Sequence, residues 1–495
     1  MGFKRQKSTL TERGMVKNHQ FQGVNIAARI FGNVPQSEEW LVYFDPDVDG
    51  VIAGYLVCKF LKKHNRKFSW YINSNRAHGW FLSLDSVKGR NIFAVDFIIE
   101  DFVLEQLCNK GCRVISMDHH LNGDNLIYNI STTGEGVIIN NQYYDEEDSG
   151  RYLSGAGVVF ESLIQFDPTF DEEINRNLVA ITLLSDIRNI ENPYAERYLY
   201  KLYTAKYVGL IKYLIDSTMG EKDYGFGIPR MDRNYVDFKF SPALNSMFRF
   251  NQQDAVVEFF LGMSRLDLGY RESQKELVEE IKNKIKKIEM SSLRVCYFHE
   301  QDFSEYADIL DNFVGLTASK YLDGEHSVIC YLIGKNQKDE SLYVKRASFR
   351  GRINGLNYNT ELNENDLFKC CGHESAFGIR SLVPTKKTFV RANRICSNVE
   401  QTSSYRRKII TVTNMSVFVS QNAYEIAEDN MYKLSQNQVR VRYVGNGIQV
   451  RRSSKRSIEY LLDGIPVLCF DPQVVIGEGL ITPILERGML SFYLE

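Results

Sequence analysis

The chain has 495 residues, 44% of them hydrophobic and 25% charged, which excludes a disordered, collagen-like or coiled-coil protein. At ~150 residues per domain the length suits roughly three domains. Sixty Lys and Arg against 62 Asp and Glu leave a formal charge of -2, which excludes a wholly basic nucleic-acid coat protein but not a local basic track.

Residues 1–40 are polar and basic, then mixed, and read as an N-terminal arm with a lead-in. No apolar core follows the early charges, and Gln6 breaks the myristoylation pattern that Gly2 opens, so neither a secretory signal nor a lipid anchor is expected. Residues 41–44 form an apolar run that stops at Asp45, and 51–61 carry apolar residues at helical spacing. Strands are expected at 68–72, 92–95 and 113–116, and helices at 100–109, 156–166 and through much of 171–215. Strands alternating with helices imply a parallel sheet with helical crossovers, whose ligand crevice lies at the strands' carboxyl ends.

Between residues 271 and 288, Leu277, Ile281, Ile285 and Ile288 make one apolar stripe of a long charged helix. It reads as a connector, because a strand-like pattern restarts at 293. Residues 293–395 again mix strands and helices. From 396 the chain is strand-rich, with strands expected at 409–413, 417–419, 439–444, 448–450 and 467–470. Gly445-Asn446-Gly447 suggests a hairpin between the third and fourth of these, and a small β-barrel follows as the natural guess. No internal repeat, low-complexity tract or 18-residue apolar run is present, so no membrane span is expected. The nine cysteines are scattered without paired zinc spacing, so reduced thiols and a cytoplasmic location are expected.

Four places near expected element ends carry metal-type ligands: Asp45-Pro46-Asp47-Val48-Asp49-Gly50, Asp96, Asp118-His119-His120 and Asp186. Carboxylates mixed with imidazole suit Mn²⁺ or Mg²⁺ better than a thiolate-seeking metal. Two such ions sharing a carboxylate could activate a water against a phosphate. The first segment also resembles the opening of a calcium loop, but Leu56 stands at the twelfth position, where that loop needs Glu. Alone, Asp96 or Asp186 reads as a helix cap and the two histidines as ordinary polar residues. The ordered set carries the metal reading.

That set resembles the four motifs of the DHH phosphoesterase superfamily, and the length and the Asp-x-Asp-x-Asp-Gly form resemble its RecJ-type single-strand exonucleases. Ser154-Gly155-Ala156-Gly157, Ser241-Pro242-Ala243-Leu244-Asn245-Ser246-Met247-Phe248-Arg249, Gly315-Leu316-Thr317-Ala318-Ser319-Lys320, Ser348-Phe349-Arg350 and Cys371-Gly372-His373 are similar to further stretches of that family. The resemblance spans about residues 41–380. It implies an α/β fold with a parallel-sheet DHH catalytic domain at 41–270, a connector helix at 271–292 and a smaller α/β DHH-associated substrate-binding domain at 293–395. A β-rich, barrel-like (OB-type) nucleic-acid-binding domain would occupy 396–495. Asp45, Asp47, Asp96, His119 and Asp186 would bind two Mn²⁺ ions, with Mg²⁺ as the alternative. His120, Asp118 and Asp49 would complete the catalytic group. Asn245, Arg249, Ser348, Arg350, Gly372 and His373 would hold substrate.

The chain departs from the RecJ pattern at Tyr43 (often His), Ala243 (Arg), Phe248 (Gly) and Cys371 (Gly). None of these removes an expected ligand. The implied activity is a Mn²⁺-dependent 5′→3′ exonuclease on single-stranded nucleic acid, DNA favoured, releasing short products, with replication or repair proteins as partners. A phosphodiesterase for short oligoribonucleotides, cyclic dinucleotides or a 3′,5′-bisphosphate is the alternative, and a non-catalytic binding module the third. Length and a C-terminal basic track favour the first. That track holds Lys433, Arg440, Arg442, Arg451, Arg452, Lys455 and Arg456, interleaved with Tyr432 and Tyr443, whose rings could stack on bases. A solvated basic hairpin is its plainer reading.

Overall fold

Strands that are apolar on both faces need cover on both sides, and the first sheet has it. The computed structural model describes residues 21–73, 79–120, 128–131, 133–143, 152–186, 193–203, 209–218, 231, 233–323, 325–336, 339–353, 356–363, 368–372, 375–382, 384–402, 409–430, 439–453, 458–469, 479–486 and 489–494. The chain begins α1 (Val24–Asn33), β1 (Glu39–Phe44), α2 (Val48–Lys63), β2 (Lys67–Ile72), β3 (Asn91–Val95), α3 (Asp101–Asn109), β4 (Arg113–Asp118), β5 (Tyr128–Ile130) and β6 (Glu135–Asn140). Strand order is β2-β1-β3-β4-β6-β5, parallel except for β5. Trp40, Val42 and Phe44 of β1 enter a core shared with α1 and α2, while Leu41 and Tyr43 enter a second core with α3. The expected lead-in is thus partly an amphipathic helix: Val24, Ala27, Ile30 and Phe31 of α1 are buried.

The helical continuation is α4 (Gly155–Phe166), α5 (Glu173–Ser185), α6 (Pro193–Tyr203), α7 (Gly209–Thr218), a single turn α8 (Arg233–Tyr235), a π-helical turn (Val236–Phe240), α9 (Ser241–Arg249) and α10 (Gln253–Phe260). The wide turn precedes Pro242, which has no N–H for a regular i→i−4 bond.

A second sheet follows from α11 (Gly269–Lys284), β7 (Lys286–Glu289), β8 (Leu293–His299), α12 (Val314–Lys320), β9 (Ser327–Lys335), β10 (Leu342–Arg350), α13 (Tyr358–Asn363), β11 (Phe368–Gly372), β12 (Ala376–Leu382) and α14 (Lys386–Thr402). Its order is β11-β12-β10-β9-β8-β7. The long helix expected to 288 stops at Lys284. Ile285 turns extended and Ile288 lies exposed in β7, because pairing with β8 supplies the backbone bonds that another helical turn would have made. Leu277, Val278 and Ile281 share a core with Cys296, Phe298 and Val328, so α11 packs as a layer on this second sheet.

The last region comprises β13 (Ile409–Val412), α15 (Met415–Gln421), α16 (Ala423–Asn430), β14 (Arg440–Tyr443), β15 (Ile448–Ser453), β16 (Ile458–Leu462), β17 (Ile465–Cys469), β18 (Ile481–Glu486) and β19 (Met489–Leu494). They make a seven-stranded, barrel-like sheet ordered β13-β14-β18-β19-β17-β16-β15. Two expectations are corrected here. Residues 417–419 are helical, not a strand: Asn414 caps α15 by accepting the Val417 N–H at 3.0 Å. The hairpin is not at Gly445-Asn446-Gly447, since β14 pairs with β13 and β18 while β15 pairs with β16. It lies at Asp463-Gly464, both in the left-handed region, as a two-residue turn between β16 and β17 requires.

Candidate metal centre

Parallel register brings the site together. Phe44 pairs with Val95 and Val95 with Met117, so the next residues, Asp45, Asp96 and Asp118, stand in one row at the carboxyl ends of β1, β3 and β4. Strand order reverses beside β1, where a crevice is expected in a doubly wound sheet. Asp47 caps α2 by accepting the Gly50 N–H at 2.9 Å. A Cβ on Gly50 would fall 2.4 Å from the Asp45 carbonyl oxygen, so the turn depends on glycine there. Asp96 adopts a left-handed φ of 64°, a costly conformation for a non-glycine residue and one that clusters at functional sites. Asp186 follows α5 as its C-cap.

Three sets of ligand-type atoms lie within 4.8 Å of one another: Asp45, Asp47 and Asp96; Asp49, His119 and Asp186; and Asp96, His119 and His120. Asp96 and His119 each belong to two sets. His119 Nε2 stands 3.1 Å from Asp96 Oδ1 and 3.8 Å from Asp49 Oδ2, and its Nδ1 is 3.8 Å from Asp186 Oδ2. Asp118 Oδ1 meets His120 Nδ1 at 2.8 Å, and Asn140 Nδ2 donates to the His120 carbonyl at 2.9 Å. Burial, with Asp186 and Asp47 nearby, pushes the Asp49 carboxyl up to about 7. Burial and the surrounding Asp49, Asp47, Asp45 and Asp186 hold Asp96 well above the ordinary carboxylate range. Like charges packed this closely favour a cation among them. A buried set of carboxylate oxygens with imidazole nitrogens therefore fits Mn²⁺ or Mg²⁺.

The other expected site residues divide. Ser348 and Arg350 share a face of β10, with Arg350 Nη1 donating to Ser348 Oγ at 2.9 Å. Arg350 Nε reaches Ser319 Oγ at 3.2 Å, so the 315–320 segment lies against the pair. Arg249 Nη1 donates to Gln274 Oε1 of α11 at 2.8 Å, which places this guanidinium in the joint between α9 and α11. Asn245 sits partly buried on α9. Gly372 ends β11, and His373 lies outside the described residues. Of the basic track, Tyr432, Lys433, Lys455 and Arg456 also lie outside them. Tyr443 is no stacking surface: it is buried, and its hydroxyl donates to Asp463 Oδ2 at 3.0 Å. Arg451 is exposed and pairs with Glu459 at 3.1 Å.

Sequence reasoning missed Asn140, although it ends β6 level with Asp118. It also missed Asn73, Gln274 and Asn312, whose roles arise only from long-range packing. Tyr43, where the resembled sequences often carry His, is fully buried in the core shared with α3. Its hydroxyl donates to Asn73 Oδ1 at 2.7 Å and accepts the Phe81 N–H at 3.2 Å, and burial raises its pKa.

The family model for the DHH family, N-terminal domain, matches residues 40–185. RecJ from Thermus thermophilus in complex with Mn²⁺ is similar in fold, with TM-score 0.66 and 16% identity over 97% of this chain and 72% of that one. The Mg²⁺ complex of RecJ from the same organism has TM-score 0.57 and 14% identity over 97% and 70%. An exonuclease RecJ bound to manganese has TM-score 0.52 and 15% identity over 79% and 99%. No curated protein matches the chain. Among the described residues no helix is long and apolar enough to cross a membrane. Residues 40–185, which carry most of the metal-type cluster, thus match the DHH family's N-terminal domain, and the chain as a whole has a RecJ-like fold.

Proposed function

We propose that the chain is a metal-dependent 5′→3′ exonuclease that hydrolyses single-stranded DNA and releases short 5′-phosphorylated products. The observation that carries this reading is the convergence of buried Asp45, Asp96 and His119 with half-buried Asp47 and Asp186 in one cluster at the sheet's switch point. These five would hold two divalent ions, Mn²⁺ by preference. Such ions, when bound, lower the pKa of the attacking water and neutralise charge on the phosphate. Asp118 holds the His120 ring through Nδ1, so a scissile phosphate would meet an imidazole of fixed orientation. Asp49 holds the α4 N-terminus and with it the wall beside Asp96.

Ser348 and Arg350 would bind a terminal 5′-phosphate, for which a guanidinium beside a hydroxyl is well suited. Gly372 and His373 would face the metals across the cleft, and Asn245 and Arg249 would hold the nucleic-acid backbone. In this reading residues 41–270 cut, 293–395 hold the end, and 396–495 grip the strand further along. Exposed Arg442 and Arg451 support that grip.

The test is product size from a 5′-labelled single-stranded oligonucleotide with Mn²⁺, alongside duplex, dinucleotide and cyclic dinucleotide substrates. Short labelled products from the single strand alone are expected. Preferential cleavage of dinucleotides would overturn the reading in favour of a small-nucleotide phosphodiesterase.

A further inference from the structure

The cluster around Asp45 and the Ser348–Arg350 pair stand on different sheets, so a pocket that measures product length needs their separation fixed. One buried side chain bridges the two parts. Helix α9 ends in a Schellman arrangement: the Asn251 N–H donates to Phe248 O, the Gln252 N–H donates to Met247 O, and Asn251 takes a left-handed φ of 57°. This leaves the Arg249 carbonyl to be satisfied from outside the helix. Asn312 supplies the donor. Its Nδ2 reaches Arg249 O and Asn251 Oδ1, each at 3.1 Å.

Phe250 reinforces the contact by meeting Phe313 edge-on at 5.5 Å between ring centroids and Tyr270 at 5.4 Å. Both ends of the bridge lead to the proposed chemistry. Leu244, Met247 and Phe248 of α9 share a core with Val48, Val51 and Ile52 of α2, whose first turn follows Asp47. On the other side Asn312 stands three residues before Gly315. A Cβ at Gly315 would fall 2.7 Å from Arg350 Nη2 and 3.3 Å from Ser348 Oγ.

We infer that Asn312 is a positioning residue that sets the distance between the metal cluster and the Ser348–Arg350 pocket, and through it the length of the released product. The product-length part rests on the exonuclease reading; the distance part does not. Two variants test it. Asn312→Ala removes the donor. Asn251→Gly removes one acceptor while suiting the left-handed backbone.

Spin labels introduced as unnatural amino acids at exposed Phe102 and Leu342 report the separation of the two parts. A narrow distance distribution is expected in the parent and a broader or shifted one in both variants. On a 5′-phosphorylated oligonucleotide with Mn²⁺, the variants should spread the product lengths and raise KM about five- to tenfold. Turnover of a small activated phosphodiester should be unchanged. An unaltered distance distribution in both variants overturns the inference. If the parent cuts no single strand, the exonuclease reading fails, while the distance measurement still decides the role of Asn312.

Discussion

Asp49 accepts backbone N–H groups from Gly155 at 2.7 Å and from Ala156 at 2.9 Å, across 106 residues of sequence. One carboxylate thereby satisfies donors in the first turn of α4 and ties it to the first turn of α2. A Cβ at Gly155 would sit 2.1 Å from Asp96 Oδ1, so this residue lets the helix close on the cluster. Gly155→Ala is expected to displace Asp96, lowering kcat about 100-fold, and to cost about 1–3 kcal/mol of stability. Steady-state hydrolysis with Mn²⁺ and urea unfolding check both. Unchanged kcat would mean that Asp96 does not need its observed position.

The Asp49 carboxyl titrates at about 7 in the folded protein against an ordinary value of 3.8. Below 3.8 the group is protonated in both states. Between 3.8 and about 7 the unfolded chain has lost the proton and the folded chain keeps it, so stability of the ion-free protein falls as pH rises through that window. Asp96 acts in the same direction. A bound cation relieves the repulsion, so the rise in Tm on adding Mn²⁺ should be larger at pH 7.5 than at 5.5. Thermal melts with Mn²⁺ or with chelator measure it, and a Tm rise that shrinks as pH increases contradicts the assignment.

The first sheet and its acidic cluster were legible because their signals are local. Apolar runs that stop at Asp45 and just before Asp96 and Asp118-His119-His120 place those residues at strand ends, and parallel register then gathers them. The errors fall where neighbours decide. Ile285 and Ile288 keep helical spacing, yet β8 offered backbone partners that drew the segment into a strand. Val417, Phe418 and Val419 have high strand propensity, but the Asn414 cap begins a helix there. Tyr443 looked available for stacking until the fold buried it against Asp463. The partners of Arg249 could not be read at all, because Gln274 and Asn312 come from elements far along the chain.

Position 43, where the resembled sequences often carry His, holds a fully buried Tyr. The Tyr43 hydroxyl joins Asn73, the Gly79 carbonyl at 3.0 Å and the Phe81 N–H. Its ring meets Trp80 edge-on at 5.1 Å. Tyr43→Phe keeps the ring and removes all three bonds, so it should destabilise the fold by about 1–3 kcal/mol. With Mn²⁺ saturating, its kcat should stay within about twofold of the parent, ~0.4 kcal/mol in the barrier, since the retained ring still fills its place in the core with α3. Urea midpoints and Mn²⁺ titration of activity separate these effects. A large kcat loss at unchanged stability would place Tyr43 in the metal centre after all.

The Arg350 guanidinium lies across the open face of Gly315 and also contacts Ser348 and Ser319. Adding a methyl group by Gly315→Ala pushes against Arg350 Nη2 at 2.7 Å, and the guanidinium must turn aside. A charge-assisted hydrogen bond contributes about 1.5–3 kcal/mol, so its loss weakens binding of a terminal phosphate roughly 10- to 150-fold. Arg350→Ala should do the same without the steric push. Both variants should lose preference for 5′-phosphorylated over 5′-hydroxyl strands while hydrolysing the latter at the parent rate. The ratio of kcat/KM for the two strands is the measurement. If Arg350→Ala keeps the parent ratio, the terminal phosphate is held elsewhere, and Ser348 with Arg350 serves only to join β10 to α12.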